Sequence, residues 1–136
     1  MNFLEIQLAF PDCRVVAPDE GYAVPTRDWL LGPFWAWFQK DRWARGLTKW
    51  ERRNDCDNFA RAYAQAAQDC HALSNGSDQE GVAVGEFFYT QAKGGGHAIV
   101  AAFVDSPARL IFIEPQTGRE VTLTPEEQAS AFFVRF

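Results

Sequence analysis

Two stretches near the end of the chain constrain its fold more than any others. In His97–Val104, the residues His97, Ile99, Ala101 and Phe103 alternate with Ala98, Val100, Ala102 and Val104. In Leu110–Glu114, Leu110, Phe112 and Glu114 fall on one side and Ile111 and Ile113 on the other. A strand that is apolar on both sides is central in its sheet and covered by other elements on both faces. If Asp105–Ala108 form the hairpin loop, Val104 pairs with Arg109, and Ile99 then faces Glu114. In that register His97, Glu114 and Gln116 emerge on one face within reach of each other, whereas a slip of one residue would separate them. Val82–Thr90 reads as a further strand and Phe132–Phe136 as the last one.

The first half reads as helical. Phe3–Leu8 is short and apolar, an edge strand or an ordered arm. Thr26 caps a helix over Arg27–Leu31, and Gly32-Pro33 restarts it to about Arg45. From Asp55 to about Gln68 the residues are strong helix formers, capped by Asn54 or Asp55. Cys56, Phe59, Tyr63, Ala67 and Cys70 follow helical spacing and define its inward stripe. Thr124-Pro125-Glu126-Glu127 is a capping box with proline at the first helical position. Helices first and an antiparallel sheet afterwards give an α+β arrangement, and 136 residues suit a single domain over 1–136.

Charge and cysteine usage narrow the function classes. A net charge of −5 argues against a phosphate-backbone binder, so nucleic acid is not the expected partner. No apolar run reaches the roughly 20 residues of a membrane helix. Met1–Phe10 carries Glu5 and lacks a basic leader, and three cysteines at unrelated spacings make no disulfide framework. Reduced thiols in a cytoplasmic setting are the expectation. All five tryptophans fall between Trp29 and Trp50, and Lys40–Arg53 carries six basic residues against two acidic ones. That window reads as a solvated helix and loop beside a packed aromatic cluster; the alternative is a cleft lined by Trp43–Trp50 and Lys93–Gly96, where Arg42, Arg45, Lys49, Arg52 and Arg53 favour acidic residues in a bound peptide.

Three residues point to chemistry. Cys56 sits at a helix start, where first-turn amides and the helix dipole favour a thiolate. His97 follows Gly94-Gly95-Gly96, glycines that leave room for a backbone or ligand to approach. Glu114 ends a central strand and needs a partner. Together they read as nucleophile, base and orienting acid, with Asn54, Gln116 and the Trp50 indole as candidate oxyanion donors.

With Asp55-Cys56-Asp57-Asn58-Phe59-Ala60, Gly95-Gly96-His97-Ala98 and Ile113-Glu114-Pro115-Gln116-Thr117-Gly118 in that order, and Trp50 upstream, the chain resembles the papain-like cysteine proteases. It is most similar to the C-terminal protease domain of fungal agglutinin chimerolectins. The resemblance covers roughly Trp50–Gly118. It implies a papain-like fold, with N-terminal helices carrying the nucleophile packed on a C-terminal antiparallel sheet. It also implies a thiol protease acting on a peptide or protein through Cys56, His97 and Glu114, assisted by Gln116. No cofactor is required, although the resemblance allows calcium at Asp55 and Asp57, which otherwise read as a helix cap and a dipole partner. No sugar-binding domain accompanies the motifs, so carbohydrate recognition does not carry over. The alternatives are transglutaminase-like acyl transfer, a CHAP-type cell-wall peptide amidase, and a non-catalytic binding module on the same fold.

Overall fold

The structure is a computed structural model that describes residues 1–74 and 78–136. The central strands stand where the alternation puts them. β4 (Val84–Thr90), β5 (Gly96–Val104) and β6 (Arg109–Glu114) form the antiparallel middle of a six-stranded sheet of order β1-β8-β4-β5-β6-β7. Its outer members are β1 (Arg14–Val16), β8 (Phe133–Arg135) and β7 (Arg119–Val121). Val104 pairs with Arg109 and Val100 with Ile113, so the β5–β6 hairpin has the expected register.

Alternation along β5 and β6 divides the core in two. On one face Val100, Ala102, Val104, Ile111 and Ile113 pack under Leu30, Phe34, Phe38, Tyr63 and Ala67. These covering residues come from a π-helical turn (Leu30–Phe34) that continues α2 (Arg27–Trp29), from α3 (Trp35–Ala44) and from α4 (Cys56–Ala72). The Tyr63 hydroxyl donates to the Leu30 carbonyl at 3.0 Å, tying α4 to the π turn. On the other face Ile99, Ala101, Phe103 and Phe112 pack under Ile6, Phe10, Tyr22, Leu123 and Ala131. That cover is thinner: α1 (Phe3–Ala9), β2 (Tyr22–Ala23) and the chain around α5 (Pro125–Ala129).

The arrangement corrects the expected fold class. A helical half followed by a separate C-terminal antiparallel sheet is not what forms. A six-stranded sheet organises the chain, and most of the helices around it are short. The N-terminal β1 joins that sheet by pairing parallel with β8, and β2 pairs parallel with β3 (Gly81–Val82). Strands of two or three residues carry too little alternation to be read from sequence. Phe3–Leu8 is helix rather than strand or arm, because Asn2 and Glu5 close a capping box around its first turn. Among the described residues no helix is long and apolar enough to cross a membrane.

Candidate functional site

The β5–β6 register delivers the clearest polar pair. His97 Nε2 lies 3.1 Å from Glu114 Oε2, with both side chains about one-fifth exposed. The other carboxylate oxygen, Oε1, accepts the Gln116 backbone N–H at 3.2 Å. Glu114 is thus held from two directions, and it orients the imidazole through Nε2. Nδ1 remains as the nitrogen that can meet a ligand.

Tyr89, which sequence reasoning missed, completes the setting. It stands directly opposite His97 in the β4–β5 ladder, and the two rings meet edge-on with centroids 5.8 Å apart. Burial pushes the Tyr89 phenol up, and the charges of Glu127, Glu114 and Cys56 push it the same way. The sequence signal was the 87/89 alternation, readable once the turn between the strands is placed. Two of the three glycines serve that turn. Gly94 and Gly95 have φ of 86° and 91°, and the turn closes with Gln91 N–H to Gly95 O at 3.0 Å. The run also leaves space, since a β-carbon at any of Gly94, Gly95 or Gly96 would meet nothing within 4 Å. From outside, Glu127 accepts the Ala92 N–H at 3.0 Å and Ser130 Oγ accepts that of Thr90 at 3.0 Å.

Cys56 is the first residue of α4 and is half-buried; Cys13 and Cys70 are also free thiols, both pushed up by burial. α4 crosses the face opposite to that of His97 and Glu114, and the charge of Cys56 is felt at Tyr89, which pairs with His97 in the ladder. The helix is capped by Asp55, whose side chain accepts from the third helical residue while Asn58 reaches back to the Asp55 N–H. Asp57 is pushed above the ordinary carboxylate value, first by its hydrogen bond with Asp55 and then by burial.

Asn54 has a different role from the expected oxyanion donor. It is buried, and its amide nitrogen already donates to the Leu47 and Lys49 carbonyls at 3.0 and 2.9 Å. Its oxygen accepts from Arg42 at 2.7 Å. Asn54 is therefore the knot of the loop before α4. Arg42 is no solvated cation either: it is 8% exposed, and its guanidinium lies 5.0 Å from the Phe59 ring centroid. Burial lowers its pKa. Trp37, Trp43 and Trp50 are exposed rather than packed. Gln116 is half-buried beside Glu114, held there by its backbone.

Asp55 and Asp57 do not fit a calcium shell. Calcium takes 6–8 oxygens, while here two carboxylates share a hydrogen bond and one of them caps a helix. Among the described residues no group of three or more His, Cys, Asp or Glu could hold a metal ion.

No family model matches the chain, and no curated protein matches it in sequence. Solved structures do match its fold. One is a Polyporus squamosus lectin bound to the human-type influenza-binding epitope Neu5Acα2-6Galβ1-4GlcNAc. It has a TM-score of 0.73 and 22% identity, over 98% of this chain and 48% of that one. Another is a complex of PSL1a with E64, with a TM-score of 0.75 and 21% identity, over 100% of this chain and 51% of that one. The chain thus spans about half the length of the solved chains it matches. These findings correct the papain-like identification. No family model supports it, and the fold belongs to chains described as a lectin and as PSL1a with E64. The readings as enzyme, hydrolase and cysteine protease with a catalytic triad fall with it, because they rested on three short motifs and their spacing.

Proposed function

We propose that this chain is a binding module whose ligand seat is the end of the sheet where His97 and Glu114 meet the start of α4. The observation that carries the reading is the His97–Glu114 pair, fixed at 3.1 Å yet partly open to solvent. This pair leaves a partly exposed imidazole oriented by Glu114, with the Tyr89 ring against it and Gln116 two residues beyond Glu114. Such a set, able to donate and to accept, suits an amide group. Peptides carry that group, and so do N-acetyl sugars such as those in the epitope bound by the lectin.

The test is titration of the purified chain with Neu5Acα2-6Galβ1-4GlcNAc, an unstructured peptide mixture and E64, each followed by calorimetry and mass spectrometry. Saturable binding that His97→Ala or Glu114→Gln weakens about tenfold supports the seat. The trisaccharide and peptide arms identify the source of the amide. Binding untouched by both variants overturns the placement. Cleavage of the ligand overturns a non-catalytic module, above all if E64 leaves a covalent adduct on Cys56.

A further inference from the structure

A cleft on the other face of the sheet from the His97–Glu114 pair has the makings of a second site. It has a volume of about 350 Å³ and is lined by Asp19, Arg61, Gln65, Glu86 and Arg135 against Ala64, Val84 and Phe136. Its charged floor is built by register: Glu86 pairs directly with Arg135 across β4 and β8. Glu86 is 3% exposed, and its Oε1 accepts from Arg135 Nε at 2.9 Å and also from the neighbouring Nη2.

The carboxylate is only half satisfied. Glu86 Oε2 is buried without a hydrogen-bond partner, and Arg61 Nε stands 3.8 Å away from it. Arg61 is shared, since its Nη2 lies 3.4 Å from Asp57. A buried acceptor left unpaired is costly and is expected to have a partner. Both guanidiniums are roughly half-exposed, so each keeps donors for a ligand.

We infer that this cleft binds a small zwitterion, a molecule with an ammonium group and a carboxylate in the manner of a free amino acid. Two carboxylates, Asp19 and Glu86, and two guanidiniums, Arg61 and Arg135, line one space. A ligand of a single sign meets repulsion from half of them. A zwitterion gives its carboxylate to the guanidiniums, with bidentate geometry available, and its ammonium to the carboxylates. The inference is independent of the proposed function, because the two sites share no side chain.

The experiment is an NMR titration of the whole ¹⁵N-labelled chain with glycine, acetate, methylammonium and galactose at matched ionic strength. Glycine is expected to give saturable shifts over residues 61–68, 84–86 and 135, and to bind about tenfold more tightly than acetate or methylammonium. Arg61→Gln and Arg135→Gln, each checked for an unchanged fold by circular dichroism, should weaken glycine about tenfold. If Arg135→Gln fails to fold, Arg61→Gln on the helix surface still decides the matter. Acetate binding as well as glycine, or galactose alone shifting these residues, would overturn the zwitterion. So would the absence of any saturable shift, or shifts centred on His97.

Discussion

The two faces of the central sheet are built from the same three strands yet are finished differently. The face under α4 is closed by large rings, Phe34, Phe38 and Tyr63, with Phe34 and Tyr63 edge-on at 4.9 Å between centroids. The opposite face is closed by α1, β2 and the chain around α5, with Phe10 against Phe87 at 5.8 Å. Each face also carries one carboxylate. Glu86, on the helical side, has a side chain 4% exposed and two guanidiniums around it; Glu114, on the other, is 20% exposed and oriented on one imidazole. The difference teaches that position along the strand matters as much as face. Glu86 lies inside the ladder, where Arg135 fixes one of its oxygens, whereas Glu114 ends its strand and keeps the more exposed side chain.

The largest expected effects test whether the two covers contribute equally. Phe34→Ala and Phe87→Ala each remove a ring with 2% exposure or less from one of the two clusters. Each should cost about 3–5 kcal/mol in denaturant unfolding. A Phe87→Ala loss well below that range would mean that the thin cover collapses into the cavity, and the faces would then differ in rigidity.

The carboxylates come next. Glu86→Ala leaves Arg135 without its buried partner and should cost about 2–3 kcal/mol, while Glu114→Ala, at a half-open site, should cost about 1 kcal/mol or less. Urea midpoints of the two variants compare them directly. Equal losses would erase the distinction between a carboxylate inside the ladder and one at a strand end.

Long alternating runs made the centre of the fold legible. The β5–β6 hairpin, and with it the approach of His97 to Glu114, follows from apolar parity plus a four-residue loop. The α4 stripe was equally plain, since Phe59, Tyr63 and Ala67 are all buried. The edges were not legible. β1 and β2 have three and two residues, and their partners are distant in sequence. Nor does sequence reveal which polar groups are already engaged. From sequence Asn54 reads as free to serve a ligand, yet the carbonyls of Leu47 and Lys49 occupy its amide. The same holds for Arg42, whose basic neighbours suggested a solvated patch while Asn54 and Phe59 hold it inside. The order Cys, His, Glu was visible too, but order alone did not secure a family.

An effect smaller than that of Glu86→Ala is expected at the turn that follows Glu114. Gly118 has φ of 67°, accessible to glycine at no steric cost, and a β-carbon there would overlap the Trp35 indole. That indole donates to the Pro115 carbonyl at 3.4 Å, so α3 buttresses the segment between Glu114 and β7. Gly118→Ala should cost about 1–2 kcal/mol from the left-handed backbone. It should also shift the His97 ring resonances by moving Glu114. A stability loss without any change at His97 would separate the turn from the ligand-facing side.

The smallest effect is a pH dependence at the start of α4, where the helical face runs into the candidate site. Asp57 is held above the ordinary carboxylate value of about 3.9 by its hydrogen bond with Asp55, by burial and by the Asp55 charge, with Arg61 opposing. A carboxyl whose folded pKa is raised binds its proton more tightly in the native state. It therefore contributes stability that is complete below the unfolded value and is lost as pH rises through the folded one. Asp57 is about one-third exposed at its side chain, so solvent screening keeps the contribution to a fraction of a kcal/mol. Asp57→Asn removes the titration while keeping the shape. The difference in unfolding free energy between the wild type and this variant, followed by urea titration at closely spaced pH from about 3 to 6, should fall as pH rises. A difference that rises over the same interval would mean that Arg61 outweighs Asp55 at this carboxylate. Arg61 would then be tied chiefly to the helix start, and less available to the cleft beside Glu86.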